Sequence, residues 1–287
     1  MIDRFIDEAA WRTFEEKTLE RPDCVIHYWL RGGGSGPWTV LLHGTGADHR
    51  MFSGQLSALE GRRVVAIDAR GHGASRQDAG PYSFGLVVDD IVAVLDAEGV
   101  EGAVLVGQSA GGNMAQDIAV RYPGRALGLL VIDSAYNLQR LSMFDSLLVK
   151  LGGPIAALYP WRALVRASVD ASAETAAARA YIERSFLDMG RRAFIRALSA
   201  LGSCVGDAGG RRIGLPILLV VGSKDGLGNI LRFAPNWPAL EPDCRLELIA
   251  GAGHCSNMDE PEAFNRLLAG FLARMDDAAG AGRPGRG

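Results

Sequence analysis

The sequence lacks the features that mark several classes of protein. It has four cysteines among 287 residues, and none forms a Cys-x-x-Cys pair, which argues against a structural zinc site and favours free thiols. No two histidines have metal-ligand spacing, so no metal or other cofactor is expected. The net charge is only −3, and basic residues do not alternate with aromatic ones, so binding to nucleic acid or to a membrane surface is not expected.

Targeting and membrane-spanning segments are also missing. Residues 1–8 carry acidic side chains where a signal peptide would carry basic ones followed by an apolar core. No uninterrupted apolar run reaches the ~18 residues that a membrane span needs. We therefore expect a cytoplasmic, soluble protein, and the sequence leaves its oligomeric state open.

Short apolar runs that each stop near a glycine or an aspartate predict the strands of a parallel sheet, since strands buried on both faces have this pattern. These runs occupy residues 38–42, 64–67, 103–106, 127–132, 217–221 and 246–249. Amphipathic stretches at 84–98, 110–122 and 261–275 predict helices on both faces of the sheet, an α/β fold. Residues 13–20 and 25–31 could form an antiparallel pair of strands ahead of it.

The alternation of strands and helices stops at about Ser134. Residues 135–206 have the pattern of helices only, so we predict a helical cap inserted after the sixth strand. The core would then comprise residues 1–134 and 207–275. Residues 276–287 lack apolar anchors and are expected to form a disordered tail.

The predicted cap combines aromatic side chains with positive charge. It holds nine basic and five acidic side chains, a net charge of +4 in a chain of net charge −3. We expect the cap to select the substrate, with two or three aromatic side chains facing an apolar pocket. The charge has two interpretations: solvated helix faces, or attraction of a substrate that carries a carboxylate. The candidates for the pocket wall are Tyr136, Met143, Phe144, Tyr159, Trp161, Tyr181, Phe186 and Phe194.

The segment Gly107-Gln108-Ser109-Ala110-Gly111 joins a predicted strand to a predicted helix. A serine on so sharp a turn adopts a strained backbone, and glycines two residues before and after it prevent clashes. The turn exposes the hydroxyl at the carboxyl edge of the sheet, where ligands of α/β proteins bind. Ser109 is therefore the candidate nucleophile. The backbone N–H of Ala110, at a helix N-terminus, can stabilise an oxyanion.

A serine hydroxyl needs a base, and His254 follows the last predicted strand at the same edge of the sheet. The other candidates are weaker, because His27 and His49 are expected to be structural or solvated. Two aspartates could orient the base. Asp225 directly follows the fifth apolar run, and Asp133 ends the fourth, so either carboxylate would reach this edge.

Loops after the first two parallel strands complete the predicted site. In His43-Gly44-Thr45-Gly46, the backbone N–H of Thr45 is the candidate second donor of an oxyanion hole. Residues 68–75 are predicted to form a structural turn beside the site.

Together these segments resemble the α/β-hydrolase family, and more narrowly its capped serine hydrolases: esterases, lactonases, carbon–carbon bond hydrolases and cofactor-free haloperoxidase-like enzymes. The resemblance covers roughly residues 38–275 and includes the order serine, acid, histidine. It implies Asp225 as the acid, with Asp133 at the position that a minority of members use. Serine at position 109 departs from the dehalogenase and epoxide-hydrolase branches, which use aspartate there.

The expected activity is cleavage of a carboxylic ester, lactone or thioester of a small, largely apolar substrate through an acyl-enzyme. Two alternatives stay open. One is a carbon–carbon bond hydrolase or lyase with the same Ser-His-Asp triad, and the other is a small-molecule receptor built on a hydrolase fold. A receptor would show at most a few turnovers.

Overall fold

A computed structural model describes residues 8–76, 80–139, 142–204 and 211–281, and these contain eight strands in one sheet. The strands are β1 (Glu15–Arg21), β2 (Cys24–Arg31), β3 (Ser35–Leu42), β4 (Arg62–Ile67), β5 (Ala103–Gln108), β6 (Ala126–Ile132), β7 (Ile217–Gly222) and β8 (Cys244–Ile249). Their order is β1-β2-β4-β3-β5-β6-β7-β8. The first two strands form the expected antiparallel pair, and β3 to β8 run parallel.

Helices follow or separate the strands. They are α1 (Glu8–Trp11), α2 (Phe84–Ala97), α3 (Ala110–Arg121), α4 (Met143–Ala156), α5 (Trp161–Ser172), α6 (Ala176–Met189), α7 (Arg191–Leu201), α8 (Ile230–Phe233), α9 (Trp237–Leu240), α10 (Ser256–Asp259) and α11 (Pro261–Ala281). Short 3-10 helices occupy His49–Gln55 and Ala234–Asn236. None of the helices described is both long and apolar enough to cross a bilayer.

The sheet separates two apolar layers. Along β5, Val104 and Val106 point into the layer that contains α11, whereas Ala103 and Leu105 point into the layer that contains α2 and α3. This alternation follows from the two-residue period of a strand, and it explains why the buried runs are apolar throughout. The predicted fold class, a mostly parallel sheet with helices on both faces, is confirmed.

Helices α4 to α7 lie between β6 and β7 in the chain, within the residues expected to form a cap. Helix α4 packs against α7, α5 against α6, and α6 against α7, so the four helices form one layered group. The expected boundary between residues 206 and 207 falls outside the described residues.

The C-terminal helix is longer than expected. Helix α11 continues to Ala281, so the expectation of a disordered tail from residue 276 is wrong for residues 276–281. The carboxylate of Asp276 accepts hydrogen bonds from both Nη1 and Nη2 of Arg62, at 3.1 and 2.6 Å, and this ion pair attaches the helix to the start of β4. The sequence argument considered only apolar anchors and missed a polar one.

Candidate active site

Ser109 occupies a sharp turn between β5 and α3, with backbone angles φ 50° and ψ −117°. The flanking glycines are sterically required. A Cβ on Gly107 would lie 2.3 Å from the carbonyl oxygen of Gly111, and one on Gly111 would lie 2.0 Å from the carbonyl oxygen of Leu42. The turn therefore packs tightly against β3 and holds the serine in a conformation that L-residues rarely adopt.

The structure brings Ser109, His254 and Asp225 together in one hydrogen-bonded chain. Nε2 of His254 lies 2.9 Å from Oγ of Ser109, and Nδ1 lies 3.0 Å from Oδ2 of Asp225. The three residues follow β5, β8 and β7, whose carboxyl ends meet at one edge of the sheet. Since an ionised carboxylate only accepts, Asp225 selects the tautomer with the proton on Nδ1, which leaves Nε2 to accept the serine proton.

The surroundings of His254 favour the protonated form of its imidazole. Burial alone would lower the pKa of His254, but the hydrogen bond and charge of Asp225, with a smaller contribution from the charge of Asp133, raise the pKa above its ordinary value of 6.5. Asp225 is itself fixed, because Oδ1 accepts a hydrogen bond of 2.9 Å from the N–H of Leu227. The carboxylate can therefore both orient the imidazole and stabilise its protonated form.

Asp133, the alternative acid, faces backbone groups instead of the imidazole. Its Oδ1 accepts from the N–H of Gly222 at 2.7 Å and its Oδ2 from the N–H of Ser256 at 2.8 Å. Burial raises the pKa of the Asp133 carboxyl to about 7, and the nearby charge of Asp225 adds to this. Asp133 thus joins the end of β6 to the end of β7 and to the loop that carries His254.

The loop with Thr45 packs directly against the serine turn. The N–H of Ala47 donates to the carbonyl oxygen of Gly44 at 3.1 Å, which closes a turn around Thr45. A Cβ on Gly44 would lie 2.1 Å from Oε1 of Gln108 and 3.3 Å from Cβ of Ser109, so a larger residue would displace the Gln108 side chain and press on the serine turn. Ala110 is the first residue of α3, where N–H groups lack an acceptor within the helix.

The neighbouring histidine and the turn at 68–75 have structural partners. Nε2 of His43 accepts from the N–H of Ala69 at 2.9 Å, and Nδ1 lies 2.8 Å from the carbonyl oxygen of Gly44. The carboxylate of Asp68 accepts from the N–H groups of His49 and Ala74 at 2.7 and 2.8 Å. These bonds fix two of the loops that surround the site.

Sequence reasoning missed two side chains that position the His254 loop. Nε2 of Gln108 donates to the carbonyl oxygen of His254 at 2.8 Å. The carboxylate of Asp259 accepts from the N–H groups of Gly253, Glu174 and Thr175 at distances of 2.9 to 3.0 Å, so one side chain joins this loop to the α5–α6 junction. Gln108 lies inside the serine motif and could have been suspected, whereas nothing in the sequence marks Asp259.

A cavity of about 360 Å³ lies over Ser109 and His254. Its walls come from the core and from α5 to α7, and they are mostly apolar: they include Met51, Tyr181, Ile182, Phe186, Phe194, Leu198, Leu201, Leu227, Ile230 and Met258. Three of the aromatic residues proposed for the pocket, Tyr181, Phe186 and Phe194, line it, in agreement with the number expected. Among the described residues that line the cavity there is no lysine, arginine, aspartate or glutamate.

One cluster has the composition of a metal site. Ligand atoms of Asp48, His49 and Asp68 lie within 4.8 Å of one another. These groups already have partners, however. Asp48 accepts from the guanidinium of Arg50 and from the hydroxyl of Tyr181, and Oδ1 of Asp68 lies 2.9 Å from Nδ1 of His49. The contacts describe a hydrogen-bonded network that joins the core to α6.

Known proteins resemble this chain in sequence and in fold. The sequence model of the alpha/beta hydrolase family matches residues 39–267. Across 262 residues the chain is 30% identical to a putative carbamate hydrolase RutD of Caulobacter vibrioides, covering 86% of this chain and 95% of that protein. It is 25% identical to 3-oxoadipate enol-lactonase 2 of Acinetobacter baylyi over 268 residues, covering 90% and 97%.

Solved structures share the fold. An esterase from Exiguobacterium antarcticum superposes with a TM-score of 0.78 at 21% identity, and the match covers 90% of this chain and 100% of the esterase chain. The match of the family model extends from β3 into α11 and so includes all three loops of the hydrogen-bonded chain. The protein is a hydrolase and belongs to the alpha/beta hydrolase family.

Proposed function

We propose that the protein is a serine hydrolase that cleaves a carboxylic ester, lactone or thioester through an acyl-enzyme. The observation that carries this proposal is the chain of hydrogen bonds from Asp225 through His254 to Ser109, which ends beneath an apolar cavity. Relatives described as an enol-lactonase, esterases and an N-acyl homoserine lactone degrading enzyme support the same class of bond.

In the proposed first step, the proton of Ser109 moves to Nε2 of His254 while Oγ attacks the carbonyl carbon. The tetrahedral intermediate collapses to the acyl-enzyme as His254 gives the proton to the leaving oxygen or sulfur. In the second step, His254 takes a proton from water while the water oxygen attacks the acyl carbon. The bond between that carbon and Oγ of Ser109 then breaks as His254 returns the proton to Oγ, which releases the acid. Asp225 keeps the imidazole oriented and stabilises its positive charge in both steps.

The oxyanion of each tetrahedral intermediate would be held by the backbone N–H groups of Thr45 and Ala110. The supporting observations are the helix N-terminus at Ala110 and the turn that places Thr45 at the cavity wall beside Ser109. Losing one donor of an oxyanion hole typically lowers turnover by ~10²–10³. Gly44 contributes indirectly, since a larger residue would separate the loop from the serine.

The proposed substrate is uncharged and largely apolar, and residues 135–206 act as the cap that selects it. The cavity has apolar walls, and its described residues include no lysine or arginine that could neutralise a carboxylate. Polar contacts attach the cap to the core, among them those of Tyr181 with Asp48, of Thr175 with Asp259 and of Glu174 with Lys224. Phe186 covers Gly46, where an added Cβ would lie 2.4 Å from its ring.

Active-site labelling tests the nucleophile. A fluorophosphonate should modify the protein once, at Ser109, and Ser109→Ala should abolish both labelling and ester cleavage. Ser134→Ala is a matched control, because Ser134 also lines the cavity but its Oγ donates to the carbonyl oxygen of Ser109. Labelling that persists in Ser109→Ala would refute the assignment.

Turnover on a panel of substrates separates the alternatives. A serine esterase or lactonase should complete many turnovers on p-nitrophenyl esters or on lactones. Labelling with only a few turnovers would indicate a receptor. Cleavage of a vinylogous diketone without cleavage of any ester, lactone or thioester would indicate a carbon–carbon bond hydrolase.

The substrate class is tested with neutral and anionic esters of equal chain length. The apolar cavity predicts a higher kcat/KM for the neutral ester and little dependence on salt, because no lysine or arginine lines the site among the residues that the structure describes. Phe194→Ala should shift the preferred acyl chain to a longer one, since it enlarges the cavity. A preference for the anionic ester that salt abolishes would contradict the proposal.

A further inference from the structure

The outer face of the cap exposes a concentrated set of large apolar side chains. Five of the nine such residues that are exposed in the described part of the chain lie between residues 147 and 159. Leu147, Leu151 and Ile155 follow one another at intervals of four on α4, so they form a stripe along one face of the helix. Leu158, which is 82% exposed, and Tyr159 extend the stripe past the end of α4.

Basic residues accompany this stripe. The segment 146–169 contains Lys150, Arg162 and Arg166 but no acidic residue. Arg162 and Arg166 are exposed on α5, which begins just after the stripe. Arg191 is exposed on α7, and its Nη2 donates to the carbonyl oxygen of Ala157 at 2.7 Å, next to Leu158.

The positive charge of the cap has no evident role inside the cavity. The cap carries a net charge of +4, yet none of the cavity-lining residues described is a lysine or an arginine. Arg162, Arg166, Arg191 and Arg192 are exposed on the outside of the cap. The net charge of −3 for the whole chain conceals this local excess, which is why composition gave no reason to expect a charged partner.

We propose that this surface, the cap ridge, docks on an anionic lipid surface. The cap ridge comprises Leu147, Leu151, Ile155, Leu158 and Tyr159, with Arg162 and Arg191 at its end. Exposed leucines and a tyrosine can enter the boundary between headgroups and acyl chains, while neighbouring arginines interact with phosphate or carboxylate groups. Exposed apolar patches of this kind commonly mark interaction surfaces.

A second copy of the chain is a poorer occupant. In a two-fold symmetric dimer the same patch contacts itself, so the segment 146–169 of the partner would offer the arginines no acidic residue. Bringing two patches of the same positive charge together is unfavourable unless an anion lies between the subunits. An anionic lipid surface supplies the apolar layer and the negative charge together. This inference does not depend on which bond the active site cleaves.

Flotation of the full-length protein with lipid vesicles tests the proposal. The protein should float with phosphatidylcholine vesicles that contain phosphatidylglycerol and much less with vesicles of phosphatidylcholine alone. The double variant Ile155→Ser with Leu158→Ser should weaken binding to the anionic vesicles by about tenfold or more. Leu248→Ser is the matched control, since Leu248 is 57% exposed on β8, outside the cap.

Charge-reversal variants test the contribution of the arginines at the end of the cap ridge. Arg162→Glu with Arg191→Glu should weaken binding by at least ~25-fold, because each lost basic residue costs about fivefold. Added salt should weaken binding of the wild type, whereas Arg266→Glu, an exposed site on α11, should have little effect.

Several results would overturn the proposal: no binding to anionic vesicles, equal binding to neutral and anionic ones, or undiminished binding by the cap-ridge variants. A stable dimer in sedimentation that the Ile155→Ser, Leu158→Ser variant dissociates would assign the surface to a second copy. Cleavage of a water-soluble ester should be unchanged in the cap-ridge variants. Unchanged cleavage would show that the variants are folded, and it separates the test of lipid binding from the test of the active site.

Discussion

Two adjacent buried strands are each followed by an aspartate: Asp133 comes directly after β6, and Asp225 lies in the loop after β7. Both carboxylates are shielded from water. They nevertheless have different partners. Asp225 interacts with the imidazole of His254, whereas Asp133 interacts with two backbone N–H groups. A position at the carboxyl edge of the sheet therefore does not by itself define the role of a carboxylate. The group that each carboxylate oxygen contacts decides whether the aspartate orients the imidazole of His254 or holds the surrounding loops in place.

Asp225→Asn should have the larger kinetic effect. The amide of asparagine cannot stabilise the imidazolium and can favour the wrong tautomer, so kcat should fall by ~10⁴, as at equivalent orienting carboxylates. Steady-state kinetics on a p-nitrophenyl ester measure this loss. A loss no greater than that of Asp133→Asn would reverse the two assignments.

Asp133→Asn should lower kcat by about tenfold to a hundredfold, the size typical of a misplaced catalytic group. Asparagine offers one acceptor oxygen where two N–H groups donate, so its NH₂ group would face the N–H of Gly222 or of Ser256. Asp243→Asn is the matched control, since Asp243 lies in an exposed ion pair with Arg274, immediately before β8. An unchanged kcat would show that the loops do not need this tether.

The pH dependence of kcat/KM sharpens the comparison further. His254 must be neutral to accept the serine proton, and its pKa is raised, so activity should fall as the pH falls through a value above 6.5. Because the charge of Asp133 contributes to this increase, Asp133→Asn should move the acidic limb to lower pH by a few tenths of a unit. A shift to higher pH would contradict the electrostatic argument.

Asp133 should also make stability depend on pH. The pKa of its carboxyl is about 7 in the folded protein against an ordinary 3.8, so between these values the folded chain binds a proton that the unfolded chain releases. This group therefore reduces the free energy of unfolding as the pH rises from 3.8 to about 7. Urea unfolding of wild type and Asp133→Asn on both sides of this range should show a shallower decline in the variant.

The elements that the sequence predicted well have strong local signals. The runs at 103–106 and 217–221 lie within β5 and β7, and Ser109 lies at the predicted turn, because apolar composition and glycine spacing act locally. The arrangement of Ser109, His254 and Asp225 in space depends on strand order, which sequence patterns alone did not provide and the family resemblance implied.

The remaining features depend on contacts distant in sequence. Asp133 binds an N–H group 123 residues away, and Asp259 one that lies 85 residues away. Both look like ordinary aspartates at the ends of secondary-structure elements, where such residues are common. The extension of α11 to Ala281 likewise depends on an ion pair between residues 214 positions apart.

The backbone of Ser109 has a consequence for thermal stability. Its φ of 50° with ψ of −117° costs of the order of 1–3 kcal/mol for a residue with a Cβ, so the protein stores conformational energy at its proposed nucleophile. Glycine relieves that strain and alanine does not, although glycine loses more entropy on folding. The variant Ser109→Gly should therefore unfold at a temperature a few degrees above that of Ser109→Ala. The hydroxyl of the proposed chemistry thus occupies a position where a more heat-resistant protein would have no side chain.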